Sequence, residues 1–187
     1  HALTLLAAAS ASADNPQSVS VLDLFAGSGV ANRLLTMSGF HVTSVDLYVS
    51  ASDVGLDTTA TSTGLWLRAD ARAVLDRKSP LIERDFDVIG LDPPHSELVE
   101  LLFGAEGADS LARLCARRSK LLVLYQGHST QRGRLDLVFK GLLEAGWLRQ
   151  AVLQVEEELI VLAATEGTGE ATFEALVQRI VDDVRLW

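Results

Sequence analysis

The stretch Val19-Ser-Val-Leu-Asp-Leu-Phe-Ala-Gly-Ser-Gly29 joins an apolar run to a short glycine-rich loop. The run from Val19 to Leu24 is almost continuously apolar, which is typical of a strand buried on both faces of a parallel sheet. Gly27 and Gly29 permit a tight turn and allow a ligand to approach the backbone closely. The residues from Val30 to Ser38 have the composition of a helix. The stretch therefore predicts a strand, a glycine loop and a helix.

Acidic residues recur where the next strands are predicted to end. The second strand, His41 to Asp46, ends in an acid that lies 17 residues beyond Gly29. In dinucleotide-type folds an acid at a spacing of about 20 meets ribose hydroxyls. A helix N-cap or turn role is the alternative for Asp46. The third strand, Leu65 to Arg68, is followed by Ala69-Asp70-Ala71, and strand-end acids of this kind suit the ligand crevice of an α/β sheet.

The fourth apolar run, Phe86 to Leu91, ends in Asp92-Pro93-Pro94-His95. Two consecutive prolines fix φ twice and remove two N–H donors, so the backbone becomes stiff and extended with free carbonyls. A strand-ending turn would also account for this tetrapeptide. Because the other strand-end acids precede it in the chain, we interpret it as a reaction site on the same rim.

The remainder of the chain continues the alternation of helices and strands. Lys120 to Tyr125 is predicted as a fifth strand, with Gln126-Gly127-His128-Ser129 as a loop on its rim. A helix is predicted from Leu135 to Ala145. Further predictions are helical segments at Ser96–Leu102 and Asp109–Arg118, a hairpin formed by Gln150–Val155 and Leu159–Ala164, and a closing helix that begins near Phe173.

The length of 187 residues and the 48% hydrophobic composition suit one globular domain. We expect residues 1–18 to form an N-terminal extension with a helix from Ala2 to Ala13, residues 19–165 the core, and residues 170–187 a C-terminal helix. The single cysteine, Cys115, cannot form an internal disulfide, which favours an intracellular location, and its neighbours predict a packed thiol. No run approaches the roughly 20 apolar residues of a membrane span.

The net charge of −9 does not supply the basic surface that an autonomous nucleic-acid binder needs. If the substrate is a polynucleotide, we expect its recognition to come from a partner protein, a flanking region or the structure of the substrate itself. Candidate substrate contacts on the fifth-strand rim are Gln126, Gly127, His128, Arg132 and Arg134. Ordinary loop positions are the alternative for each of them.

From Val19 to Thr165 the chain resembles the class I S-adenosylmethionine-dependent methyltransferases. Four motifs occur in the order of that family: the glycine-loop stretch, Val45-Asp46, Ala69-Asp70-Ala71 and Asp92-Pro93-Pro94-His95. The resemblance implies an α/β, Rossmann-like, doubly wound sheet of seven strands that is mostly parallel and has an antiparallel terminal hairpin strand. The residues of the first and fourth motifs resemble those of the branch that methylates adenine N6 and guanine N2.

The resemblance also implies the roles of individual residues toward S-adenosylmethionine. The glycines would pass under its methionine moiety, and Asp23 would hold the loop or meet the amino group. Asp46 would accept hydrogen bonds from the ribose hydroxyls, Asp70 would accept one from the adenine amino group, and the Ala71 N–H would face a ring nitrogen. The complete implied cofactor site consists of Asp23, Phe25, Ala26, Gly27, Gly29, Asp46, Leu47, Asp70 and Ala71, and no metal site is predicted.

The catalytic residues implied are Asp92, Pro93, Pro94 and His95. The Asp92 carboxylate and the Pro93 carbonyl would accept the two hydrogens of a substrate amino group. His95 departs from the branch, whose fourth motif ends in an aromatic residue that stacks on a base. An imidazole could stack or take up the released proton.

The sequence thus predicts an N-methyltransferase for an amino group of a nucleic-acid base, in RNA rather than DNA. The alternatives are an enzyme that methylates a protein or small-molecule amine, and a catalytically silent subunit of a larger assembly. The intact glycines and strand-end acids favour an active enzyme over the silent subunit.

Overall fold

The structure is a computed structural model that describes residues 2–12, 15–55, 64–76, 84–94, 96–104, 110–128 and 133–185. The strands in the described residues are β1 (Ser20–Leu24), β2 (His41–Asp46), β3 (Gly64–Arg68), β4 (Phe86–Leu91), β5 (Ser119–His128), β6 (Arg149–Val155) and β7 (Glu158–Ala164). The helices are α1 (Ala2–Ser12), α2 (Val30–Met37), α3 (Ala71–Leu75), α4 (Leu98–Phe103), α5 (Leu111–Ala116), α6 (Leu135–Glu144) and α7 (Glu170–Arg185). A 3₁₀ turn, Pro16–Ser18, links α1 to β1.

The seven strands form one sheet in the order β3-β2-β1-β4-β5-β7-β6. The first five strands in that order are parallel, whereas β7 runs antiparallel to β5 and β6 runs antiparallel to β7. This confirms the predicted mostly parallel sheet with an antiparallel terminal hairpin. The strand order reverses between β1 and β4, and a ligand crevice is expected outside the carboxyl ends of the strands at such a point.

Helices cover both faces of the sheet, as the doubly wound prediction requires. On one face, α3, α4, α5 and α6 enclose a core that includes Leu22, Leu91, Leu124 and the fully buried Trp147. On the other face, α1, α2 and α7 pack over a second core. Because both faces are buried, the central strands are continuous apolar runs rather than alternating ones.

The helix predicted from Ala2 to Ala13 is α1, which covers one face of the sheet beside α7 and α2. Its Leu5 is fully buried against Gly90 of β4. A Cβ atom built at Gly90 would lie 2.6 Å from Leu5 Cδ2, so the absence of a side chain there lets the helix approach the sheet. The N-terminal segment is therefore part of the hydrophobic core.

The predicted end of the fifth strand at Tyr125 is wrong, because β5 continues to His128. The extension pairs with β7, in a register that places His128 opposite Glu158. A bulge interrupts this pairing between Tyr125 and Gly127. Gln126, Gly127 and His128 therefore belong to the strand rather than to a rim loop. Pairing with the long hairpin strand supplies backbone partners where β4 has already ended.

Cys115 is fully buried in α5, and this burial raises the pKa of its thiol. The prediction of a packed thiol is confirmed. In the part of the chain that the structure describes, no helix has both the length and the apolar character needed to cross a membrane.

Candidate active site

A cavity of about 500 Å³ opens at the carboxyl ends of β1, β2, β3 and β4. It brings together predicted site residues that are separated by up to 69 positions in the chain, from Phe25 to Pro94. The predicted residues that line it are Phe25, Gly27, Asp46, Leu47, Asp70, Ala71, Asp92, Pro93 and Pro94. The sequence motifs thus converge on one site.

The loop after β1 has an unusual backbone conformation at three positions. Phe25, Gly27 and Gly29 have φ values of 62°, 50° and 70°, in the left-handed region. For a bulky residue such as Phe25 this region costs about 1–2 kcal/mol, and such strain persists where the surroundings enforce it, as at functional sites. A Cβ atom at Gly29 would also lie 3.3 Å from Trp66 Cζ3, so a side chain there would press on the indole as well as strain φ.

The Asp46 carboxylate holds two segments of the site together. Its Oδ2 accepts a hydrogen bond from the Gly27 N–H at 3.0 Å. Its Oδ1 accepts from the N–H groups of Tyr48 and Val49, both at 2.9 Å. The turn role considered as the alternative is therefore present, and it does not exclude ligand binding. A carboxylate has about four lone-pair sites, so it can accept further hydrogen bonds from a ligand in the cavity.

Asp70 and Ala71 stand where β3 is followed by α3. Asp70 is the N-cap of that helix, and its Oδ1 accepts from the N–H groups of Arg72 at 2.8 Å and Ala73 at 3.2 Å. Ala71 is the first helical residue, so its N–H has no acceptor within the helix. Both residues line the cavity, where that donor and the Asp70 carboxylate could meet a polar ring edge.

The Asp92-Pro93-Pro94 segment continues β4 beyond its last paired residue. The Asp92 N–H donates to the carbonyl of Leu24 at 3.3 Å, which fixes the segment beside the glycine loop. Pro93 is buried, and the carbonyl of Pro94 accepts from the Glu97 N–H at 3.0 Å, just before α4. His95, the fourth predicted catalytic residue, lies outside the described residues.

Tyr125 of β5 lies near the same segment and was not among the predicted site residues. Its hydroxyl donates a hydrogen bond to Glu158 Oε1 at 2.8 Å. The pKa of Tyr125 is raised, first by burial, then by the hydrogen bond and negative charge of Glu158, and further by the charge of Asp92. The hydroxyl therefore stays protonated at neutral pH and can act as a donor.

Several predicted residues do not line the cavity. Asp23, Ala26 and Gly29 lie outside its wall, although Asp23 is buried and the Ala26 N–H donates to Val45 at 3.1 Å. Arg134 borders a separate groove beside Phe103 and Leu137. Gln126 is buried within β5, and Arg132 lies outside the described residues.

The cavity wall also contains residues that the sequence motifs did not identify. Tyr48 and Arg72 each lie two positions after a strand-end acid, and this placement is a signal that could have revealed them. Leu101 and Leu111 come from α4 and the start of α5. These two leucines look like ordinary core positions in the sequence, so only the tertiary structure could show that they face the cavity.

The charges and walls of the cavity define what it can bind. Among the described residues carboxylates outnumber cations in its wall, because Asp46, Asp70, Asp92 and Glu97 line it together with the guanidinium of Arg72. Val45, Leu101 and Leu111 provide apolar contacts. The arrangement suits a ligand that combines a flat apolar ring, vicinal hydroxyl groups and a positive charge. A bound nucleoside with a cationic substituent meets this description.

Solved structures with a similar fold include several methyltransferases. Human methyltransferase-like protein 13 in complex with S-adenosylhomocysteine superposes with a TM-score of 0.67 and 12% identity, over 99% of this chain and 92% of that one. Magnesium protoporphyrin IX methyltransferase from Synechocystis, with bound S-adenosylmethionine, superposes with a TM-score of 0.57 and 16% identity, over 85% of this chain and 76% of that one. A TehB-like S-adenosylmethionine-dependent methyltransferase from Corynebacterium glutamicum superposes with a TM-score of 0.57 and 18% identity, over 89% of this chain and 88% of that one.

No protein-family model and no curated protein sequence matches the chain. At identities of 12–18% the structural likeness establishes the fold alone. The chain therefore has the class I methyltransferase fold, and its activity has to be argued from the cavity.

Proposed function

We propose that the chain is an S-adenosylmethionine-dependent N-methyltransferase that acts on an exocyclic amino group of a nucleic-acid base, in RNA rather than DNA. The observation that carries the proposal is the single cavity in which Gly27, Asp46 and Asp70 meet Asp92 and Pro93. Neighbours of the same fold that contain S-adenosylmethionine or S-adenosylhomocysteine support the cofactor.

The residues present fit this cofactor. Asp46 would bind the ribose hydroxyls through the lone pairs that Gly27, Tyr48 and Val49 do not use. Asp70 and the orphan N–H of Ala71 would meet the adenine edge, and Leu47 would pack against the ring. The excess of carboxylates would stabilise the sulfonium charge. S-adenosylmethionine, when bound, supplies an activated methyl group.

The protein's own contribution to the transfer is positioning. In this proposal the Asp92 carboxylate and the Pro93 carbonyl accept the two hydrogens of the substrate amino group. Held in this way, the nitrogen lone pair faces the cofactor cavity. His95 follows directly in sequence, and its imidazole would stack on the base or accept the proton released after transfer.

Binding of a polynucleotide needs help from outside the described residues. The net charge is −9, and the cavity itself carries more carboxylates than cations. Affinity for nucleic acids comes largely from contacts between phosphates and Lys or Arg. We therefore propose that a partner protein or a flanking region supplies those contacts and leaves base selection to this domain.

Transfer of radiolabelled methyl groups from S-adenosylmethionine tests the proposal. Total cellular RNA, DNA and protein serve as parallel acceptors, and the expected label is in RNA. Asp92→Ala should abolish the label while cofactor affinity stays within a few fold. Asp182→Ala, at an exposed position in α7, is the matched control and should retain full transfer. Label in protein alone would favour an enzyme that methylates a protein amine, and label in no fraction would favour a catalytically silent subunit.

A further inference from the structure

Gln126 has a buried primary amide that pairs with nothing in the described structure. The residue is 1% exposed, and neither Nε2 nor Oε1 has a hydrogen-bond partner among the described residues. Nearly all buried polar side chains have such a partner, because an unpaired amide loses its hydration without compensation. An apolar side chain of the same shape would suit this position better if packing were its only role.

The sheet register places Gln126 beside the proposed acceptor-binding segment. Leu91, the last residue of β4, is paired with Leu124 of β5, and Pro93 and Gln126 each lie two residues beyond this pair. Pro93 and Gln126 are both buried. Neighbouring strands are about 4.8 Å apart, so we infer from this level along the sheet that the two residues are neighbours.

The strand order and the bulge indicate where Gln126 lies relative to the cofactor cavity. β5 lies on the opposite side of β4 from β1, β2 and β3, whose ends carry Asp46 and Asp70. A substrate held by Asp92 and Pro93, with its amino group toward the cofactor, would therefore extend its ring toward β5. The bulge at Tyr125 and Gly127, where φ of Gly127 is 100°, breaks the pairing at this level. Bulges next to active sites commonly redirect a side chain.

We propose that Gln126 recognises the polar ring atom adjacent to the amino-bearing carbon of the substrate base. This inference rests on the proposed function and narrows its substrate to an amino group on a heteroaromatic ring. In adenine and cytosine the adjacent ring atom is a nitrogen acceptor, whereas on the Watson–Crick edge of guanine it is an N–H donor. A primary amide has both a donor and an acceptor and can pair with either. An alkyl amine such as that of lysine offers no such atom, so it leaves the amide unpaired.

Two substitutions separate this recognition from a structural role. Gln126→Met retains the length of the side chain and removes both polar groups. Gln126→Glu retains an acceptor and removes the donor. Gln154→Met, on the exposed face of the edge strand β6, is the matched control. Each variant of the full chain is compared with the wild type in thermal unfolding, S-adenosylmethionine titration and methyl transfer to total RNA, followed by identification of the methylated nucleoside.

The expected result for Gln126→Met combines three readouts. Its unfolding temperature is equal to or above that of the wild type, because an unpaired buried amide has been removed. Its cofactor affinity is unchanged, and its kcat/KM with RNA falls about tenfold, the effect of one lost hydrogen bond. Gln126→Glu loses activity to a similar degree if the methylated nucleoside is adenosine or cytidine, and retains it if the nucleoside is guanosine.

The outcomes distinguish this inference from the proposed function. If the wild type methylates RNA and Gln126→Met is equally active, the inference is overturned and the proposed function stands. If the wild type binds the cofactor and labels protein but not RNA, the proposed function fails, and the inference fails with it. A Gln126→Met variant that loses cofactor affinity or unfolds at a lower temperature would assign Gln126 a structural role and would also overturn the inference.

Discussion

The Gly27 N–H donates a hydrogen bond to Asp46 Oδ2 at 3.0 Å, and this contact joins the glycine loop after β1 to the end of β2. The same carboxylate accepts from two N–H groups of the following turn. One residue thus fixes the relative position of the two motifs that resemble a cofactor site. Gly27 and Asp46 both line the cavity, so this contact helps to shape it.

Asp46→Asn is expected to weaken S-adenosylmethionine binding by about 1.5–3 kcal/mol, or roughly 10- to 150-fold. The substitution removes the charge that would accept from the ribose hydroxyls, and it can leave an amide donor facing the Gly27 N–H. Isothermal titration of both proteins measures the difference. Asp53→Asn is the control, because Asp53 is exposed, bonds only with Ser50 in the described structure and does not line the cavity. Equal affinities for Asp46→Asn and the wild type would refute the ribose role.

Gly29→Ala is expected to destabilise the fold by about 1–2 kcal/mol, the cost of a left-handed conformation for a residue with a Cβ atom. The new methyl group would also press on Trp66 and Val54. Urea unfolding gives the difference in the free energy of unfolding. Gly167→Ala serves as the control, since a Cβ atom there meets nothing within 4 Å and φ is not left-handed. Similar stabilities for the two variants would contradict the loop conformation.

Gly90→Ala is expected to destabilise the protein by about 1–3 kcal/mol, because the added methyl group meets Leu5 in a packed core. In a Leu5→Ala background the same change should cost much less, since the opposing side chain is gone. A double-mutant cycle in urea measures this coupling. Additive effects would show that α1 does not pack against β4 as described.

Cys115→Ala is expected to change the pH dependence of stability above about pH 8.5. The thiol ionises near 8.5 in the unfolded chain, but its pKa in the folded protein is raised by burial. The contribution of the protonated thiol to the free energy of unfolding is therefore complete below pH 8.5. It declines as the pH rises above that value, by up to about 1.4 kcal/mol per pH unit. Urea unfolding between pH 7.5 and 9.8 compares the slopes. Parallel curves for the two proteins would show that the folded thiol ionises normally.

The order of the strands and their carboxyl-end residues could be predicted from the sequence because each apolar run is followed by a distinctive local signal. Gly27 and Gly29 mark a turn, and Asp92-Pro93-Pro94 marks a stiff segment. These signals depend on residues adjacent in the chain. The structure places most of the predicted residues around one cavity.

Features that depend on distant partners could not be predicted in this way. β5 extends to His128 because β7 pairs with it, and nothing between Gln126 and His128 indicates that pairing. The left-handed φ of Phe25 is equally invisible, since a bulky aromatic residue normally avoids that region. The sequence also gives no sign that the amide of Gln126 is buried without a hydrogen-bond partner among the described residues.

Isothermal titration of the wild-type chain with S-adenosylmethionine is the decisive measurement, because the proposed role of the cavity and the proposed transfer both require this cofactor. We expect saturable binding to one site, with clearly weaker binding for Asp46→Asn and unchanged binding for Asp53→Asn. Absence of heat at millimolar cofactor, from a chain that unfolds cooperatively, would contradict a cofactor site in this cavity.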